Sequence, residues 1–286
     1  MSDNELGLFL RVHREAVSPA EVGLPAGPRR RATGLRRSEV AALAGVSVEY
    51  VIRLEQGRDR RPSPQVLSAL ADALRLTVSE RVHLYRLTKA AEPGFNCRGR
   101  DSGGSGQVIR ATVQALLGRL EPTPAALLDQ LGDILAHTDG YDRLARPTGL
   151  LEAGRPNLAR FLFTDDRARV VFPDWDHAAD EAVAALKQGP FRADPRVAAL
   201  ADELAISAGD AFTRRVASIP GFTTGTGVLR LAHPAAGMLR LAYETLDLPA
   251  DDAQRLVVYL PADAATATAL DGLDRAASPA LRLVAP

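Results

Sequence analysis

Residues 35–57 read LRRSEVAALAGVSVEYVIRLEQG. Two short segments flank Gly45-Val46-Ser47, and their apolar residues fall only where two crossing helices would meet. Val40, Ala41 and Ala44 recur at helical spacing in the first segment, and Val51 and Leu54 do so in the second. Gly45 tolerates the positive φ that ends a helix, and the Ser47 hydroxyl can accept a backbone N–H bond at the start of the next. The spacing predicts a helix-turn-helix. It leaves Val48, Glu49, Tyr50, Ile52 and Arg53 outward on the second helix, a mixed surface of the sort that reads base edges in a major groove.

Any bihelical hairpin of an α-domain shows this periodicity, so the surrounding charge weighs in the reading. Arg29, Arg30, Arg31, Arg36 and Arg37 lead into the first helix, and Arg53, Arg58, Arg60 and Arg61 lie on or just after the second. An arginine run alone is a solvated surface; beside a reading head it favours phosphate or minor-groove contact. The chain's zero net charge hides an asymmetry. Residues 1–100 hold 17 Lys plus Arg against 11 Asp plus Glu, whereas residues 101–286 hold 18 against 24. A basic front and an acidic remainder confine nucleic-acid contact to the first part.

At 286 residues the chain is too long for one small core and suggests two domains. Its 46% hydrophobic and 24% charged content is that of a folded protein, and no apolar run approaches the ~20 residues of a membrane span. The opening MSDNELG has neither a basic nor an apolar leader region, so a cytoplasmic location is expected. Cys97 has no second cysteine to pair with and is given no role. The five histidines lie far apart, without Cys or carboxylate at ligand spacing, so no metal is expected.

Along the chain, the pattern predicts a helix over 5–17, a loop over 18–32 with at most one turn at 19–22, a helix from Pro64 capped by Ser63, and another from Ser79 to Ala91 with Val82, Leu84, Tyr85 and Leu87 as its apolar positions. Five helices therefore make a DNA-binding domain over 1–92. Residues 93–106, rich in Gly and Ser, read as a linker to a second domain over 107–286. There the pattern predicts a helix over 107–120 able to act as a dimer strut, a hairpin of 125–128 and 134–137 around Gly132, and helices at 139–144, 157–163, 175–187 and 195–208. Strands at 227–231, 238–243 and 255–260 and a last helix over about 263–276 follow. Turns are expected at 233–237 and 249–252. A small antiparallel sheet with helices on one side results.

These residues resemble a known family. The first part is similar to the Xre family of helix-turn-helix regulators, with RLEQGRDRRPSPQVL at 53–67 among the matching phrases. The second part resembles the MmyB-like ligand-binding domain through Asn157-Leu158-Ala159-Arg160, Phe172-Pro173-Asp174-Trp175, His233-Pro234, Tyr243-Glu244-Thr245-Leu246 and Gln254-Arg255-Leu256-Val257-Val258-Tyr259. The resemblance implies an all-α five-helix Xre or phage-repressor-like DNA-binding domain followed by an α+β PAS-like domain with a small antiparallel sheet. It implies a regulator that binds double-stranded DNA, with a lipophilic small molecule, a fatty acid in at least one member, in the second domain. Carried over, Arg37 takes a phosphate- and base-contacting position, and Ser47, Val48, Glu49 and Arg53 take reading positions. Arg14 and Glu55 match a structural salt bridge. Members commonly carry Tyr-Thr where this chain has Val51-Ile52, and Trp-Asn where it has His137-Thr138. The Lys-Arg-Phe-Arg element usually preceding His-Pro is replaced by mostly uncharged residues, 227–232; if those cations hold an acidic ligand head in the family, the ligand of this chain is expected not to be an acid.

The DNA-contact set is thus Arg29, Arg30, Arg31, Arg36, Arg37, Ser47, Val48, Glu49, Tyr50, Arg53 and Arg58. Arginine can span guanine O6 and N7, glutamate can accept from cytosine N4, and tyrosine can donate to phosphate. The second domain shows no phosphate loop, no nucleophile elbow and no His paired with Ser or Cys, so no enzyme and no catalytic residue is expected. Leu128, Leu135 and His137 from the hairpin, Phe161, Phe163, Phe172, Trp175 and Phe212 from the helices, and Leu241 and Tyr243 from the strands are candidates for a lipophilic cavity, with Phe191 a further aromatic; ordinary core is the competing reading. Two functions remain: a ligand-responsive transcription factor on a pseudopalindromic operator, working as a homodimer, or a ligand-independent DNA-binding protein whose second domain only dimerises or docks a partner. No cofactor beyond a bound lipophile, and no membrane partner, is expected.

Overall fold

The computed structural model describes residues 4–25, 34–59, 61–90, 109–188, 194–248 and 254–277. The predicted linker with Cys97, the turn at 249–252, and Arg29, Arg30, Arg31, Arg60 and Phe191 lie outside them.

In the N-terminal head, α1 (Glu5–Ala16) starts at Asn4, whose side chain accepts from Gly7 N–H at 3.1 Å, and it buries Leu6, Phe9 and Leu10. One 3-10 turn, Pro19–Val22, interrupts the loop that follows. Then come α2 (Arg37–Ala44) and α3 (Val48–Glu55). Gly45 between them has a φ of 65°, and Ser47 Oγ accepts from Tyr50 N–H at 3.1 Å, so the turn is fixed as its sequence predicts. Val40, Ala44 and Leu54 close the core together with α4 (Pro64–Ala73), which Ser63 caps. The next helix, α5 (Val78–Ala90), starts after Thr77 rather than Ser79: Thr77 N–H donates to Glu80 Oε2 at 2.6 Å, and Glu80 N–H donates back to Thr77 Oγ1. Val82 and Tyr85, predicted as packing positions, are exposed; Leu84 and Leu87 carry the contact with the core, so the buried stripe is narrower than the apolar one.

The second domain is built on one sheet. Strands β1 (Ala125–Leu128), β2 (Ile134–His137), β3 (Thr226–His233), β4 (Gly237–Leu248) and β5 (Gln254–Pro261) pair antiparallel in the order β2-β1-β5-β4-β3. The hairpin and the three later strands thus join where β1 meets β5, with Leu127 opposite Leu256. Around them run α6 (Ala111–Leu120), α7 (Asp139–Ala145), α8 (Leu158–Thr164), α9 (Ala168–Val171), α10 (Trp175–Leu186), α11 (Pro195–Ala208), α12 (Asp210–Ser218) and α13 (Ala264–Ala277). Helices lie on both faces, not one. Val113 and Leu117 of α6 pack on Ala125, Leu127 and Leu256, which explains why β1, buried on both sides, reads as the unbroken apolar run AALL. Val113 and Leu117 of α6 are therefore spent on its own sheet, while Leu116 stays exposed. The prediction missed α9, which is four residues long, and α12, where Phe212, Val216 and, just beyond the helix, Ile219 do recur at helical spacing but only Phe212 is fully buried.

Several of the phrases that carry the family resemblance are structural devices. Asn157 caps α8 by accepting from Arg160 N–H at 2.8 Å and donates to Asp133 Oδ1 at 2.7 Å, tying the helix to the β1–β2 turn. The His233 Nδ1 accepts from the N–H groups of Ala235 and Ala236, so its Nε2 donates to Arg143 O at 3.2 Å. That ring shapes the β3–β4 turn.

Candidate functional site

On the head, Glu49 and Arg53 project from α3 into solvent, while Val48, Tyr50 and Ile52 are half-buried. The Arg53 guanidinium lies 5.4 Å from the Tyr50 ring centroid, which orders a long side chain on the reading face. Burial pushes the Tyr50 phenol up, and the Asp59 charge adds to it, so the hydroxyl stays a donor. Ser47 uses its hydroxyl as the cap, and Arg36 and Arg58 are exposed at the two ends of the motif.

Arg37 has a second task. Glu55, buried at the end of α3, accepts from Arg14 Nε at 2.6 Å and from Arg37 Nε at 2.8 Å, and Arg14 also donates to Leu35 O at 2.9 Å. One buried carboxylate therefore ties α1 and α2 to the reading helix. Burial lowers the Arg14 pKa, but hydrogen bonds and attraction from Glu55 and Glu15 outweigh it and raise the value overall. Arg37 is half exposed, so its guanidinium edge beyond Nε still faces solvent.

In the second domain a cavity of about 140 Å³ lies between the inner face of the sheet and α7, α8 and α10. Leu144, Leu150, Leu158, Leu162, Leu229 and Val257 make most of it apolar. Strand alternation puts Arg255, Val257 and Tyr259 of β5 on this side, opposite Leu256 and Val258, and β4 adds Tyr243 and Thr245 beside them. Tyr141 from α7 stands 5.8 Å from the Tyr259 ring, and His177 and Glu181 come from α10. Arg255 is enclosed by protein, and the surface it keeps lines the cavity. Burial pulls its pKa below the ordinary arginine value, against the attraction of Tyr259, Asp129, Asp247 and Glu181. Among the described residues its guanidinium makes no hydrogen bond and no ion pair. Burial also pushes the Tyr259 phenol up to about 12 and raises Tyr141 and Glu181, the last against the pull of His177 and Arg255. An apolar chamber whose lining also holds a guanidinium, three phenols and a carboxyl offers both alkyl contact and polar anchoring to a bound molecule.

A model of the MmyB-like transcription regulator ligand binding domain matches residues 109–273, more than half of the chain. The chain belongs to this family. A helix-turn-helix domain model matches residues 5–84, and no curated protein matches the chain. An MmyB-like ligand-binding domain behind a helix-turn-helix makes this a ligand-regulated transcription regulator; neither model describes a catalytic family. No helix among the described residues is long and apolar enough to cross a membrane, and none of their His, Cys, Asp and Glu side chains cluster to hold a metal.

Within this MmyB-like domain, Leu128, Phe172 and Tyr243 of the predicted ligand residues line the cavity. Seven others do not. Leu135 belongs to the cluster under α6 on the far face of the sheet. His137 stacks near Tyr141 at 5.9 Å but lies outside the lining. Phe161, Phe163, Phe212 and Leu241 are closed core. Trp175 donates its indole N–H to Leu162 O at 2.8 Å and lies under the guanidinium of Arg169, 3.7 Å from the ring centroid. The sequence reading missed Arg255, Tyr259, Tyr141, Glu181 and His177. Alternation along Arg255-Leu256-Val257-Val258-Tyr259 was the signal that groups two of them with Val257.

Proposed function

We propose that the protein is a transcription factor whose operator affinity is set by a fatty-acid-like ligand, an apolar chain ending in an acidic head, held in the cavity of the second domain. The observation that carries this reading is Arg255. A guanidinium stays charged under almost any perturbation; here burial outweighs the attraction of Tyr259, Asp129, Asp247 and Glu181, and among the described residues it makes no hydrogen bond or ion pair, so a ligand's anionic head would supply the contact it lacks. The cation that the 227–232 strand lacks is thus available from β5, two strands away: Arg230, the arginine of that stretch, is paired with Asp174. The apolar remainder of the lining suits an alkyl chain, each buried methylene adding about 0.8 kcal/mol.

The protein works on double-stranded DNA as a homodimer on a pseudopalindromic operator, because one head offers few base contacts and two related by a dyad meet the same groove face about one turn, ~10 bp, apart or at a multiple of it. Mass spectrometry of organic extracts of the purified protein tests the ligand. A stoichiometric lipophilic acid is expected; an extract without one, together with no saturable binding of sodium palmitate by delipidated protein, would remove the ligand from the account.

A further inference from the structure

The two domains meet through residues 219–225, the irregular segment between α12 and β3. One end of it belongs to the cavity: Thr223 and Gly225 line the chamber, Gln188 Nε2 donates to Thr223 Oγ1 at 2.6 Å, and Thr224 hydrogen-bonds the cavity-lining Tyr243. Its other end belongs to the head. Phe222 packs into the head's core cluster, with its ring 6.3 Å from Phe9 in an edge-on contact and 5.3 Å from His83. Gly221 N–H donates to Glu5 Oε2 at 3.2 Å.

Lys187 fastens the segment from below. It follows α10, the helix that lines the cavity with His177, Ala178, Glu181, Ala182 and Ala185, and its ammonium is almost wholly buried. That ammonium donates to Val216 O at 2.8 Å and to Ile219 O, and pairs with Glu5 Oε1 at 3.0 Å. A Cβ on residue 221 would overlap the Lys187 carbonyl, so glycine is required there. On the receiving side His83 is on α5, while Glu5 and Phe9 are on α1, which also grips the reading helix: Nδ2 of its cap Asn4 donates to Glu55 O at 2.6 Å, and a Cβ on Gly7 would overlap that same carbonyl.

We infer that cavity occupancy reaches the DNA-reading helix through this joint: a ligand displaces α10 and residues 219–225, Phe222 and the Lys187–Glu5 pair carry the displacement to α1, and α1 repositions α3. The inference rests on the ligand-holding reading of the cavity. Each link is a tight contact with few ways to relax, which is what a coupling between sites needs.

The test uses the full chain and no lipid, so that it does not depend on knowing the ligand. Ala182→Phe fills the cavity from α10, with Ala178→Phe as the alternative should the first fail to fold by circular dichroism. Affinity is measured by anisotropy on a duplex selected from a random pool by the wild-type protein. Filling the cavity is expected to change operator affinity by about five-fold or more. In a Phe222→Ala background, and in a Glu5→Gln background, the same filling is expected to change it by no more than about two-fold. An equal change with and without Phe222, or no change from either filling variant, overturns the relay. A parallel titration with sodium palmitate separates the two claims: wild-type protein that binds no palmitate counts against the ligand reading, while the filling cycle still decides the relay.

Discussion

Replacing Arg255 with methionine keeps the apolar volume of the side chain and removes its charge from the cavity. A hydrogen bond to a charged group contributes about 1.5–3 kcal/mol, so a carboxylate ligand should lose affinity by roughly 10- to 150-fold. The methyl ester of the same acid has no anion for Arg255 to hold, and it should bind Arg255→Met as well as it binds the wild type. Stability gives a third, independent sign. Among the described residues the guanidinium has no hydrogen bond or ion pair to lose, and it is desolvated, so the ligand-free variant should melt no lower than the wild type. Delipidated full-length protein, titrated calorimetrically with sodium palmitate and with methyl palmitate and melted without ligand, supplies all three readings. Equal loss for acid and ester would show that Arg255 only shapes the wall. Unchanged acid affinity would place the head group elsewhere.

Glu181 should make acid binding pH-dependent. Burial holds its carboxyl above the ordinary value, and His177 and Arg255 pull against this while Asp180 adds to it. An anion bound nearby raises it further, so binding takes up a proton between the two values, and the acid's affinity should fall as pH rises through that window. Titrations across pH 5–8 should flatten with Glu181→Gln and keep their slope with His177→Asn; a slope that follows His177 instead assigns the effect to the imidazole. On the head, Arg53→Ala should relax preference at one base pair, worth about 1–3 kcal/mol there, as read by binding to a panel of singly substituted duplexes. Arg37→Ala should weaken every duplex in that panel and lower the melting temperature as well, because it breaks the buried Glu55 cluster; weakening without loss of stability would mean that the cluster holds through Arg14 alone.

The head was legible because its signals are local. A glycine able to take a φ of 65°, a serine cap three residues before the N–H that it accepts, and apolar residues at helical spacing act within one turn of themselves. The same locality explains the one misjudged stripe. Val82 and Tyr85 have the right spacing on α5, and nothing in the sequence says that the head's core ends before reaching them. The cavity is a different kind of object. Its walls come from α7, α8, α10 and three strands, so membership depends on which face of each strand turns inward, and an aromatic residue carries no mark of that. The phrases that gave the family away mix the two roles: Asn157 caps a helix and Trp175 seals core, whereas Leu158, Phe172, Tyr243, Arg255 and Tyr259 of the same phrases line the chamber, and nothing local separates the one kind from the other. The chamber's decisive residue reads in sequence as one more arginine. Only pairing β5 between β1 and β4, with Leu128 and Asp247 opposite it, places Arg255 on the chamber wall, where burial lowers its pKa. The alternation along Arg255-Leu256-Val257-Val258-Tyr259 groups Arg255 with Val257 and Tyr259, but that this face is the one turned to the chamber follows only from the long-range register with β1 and β4.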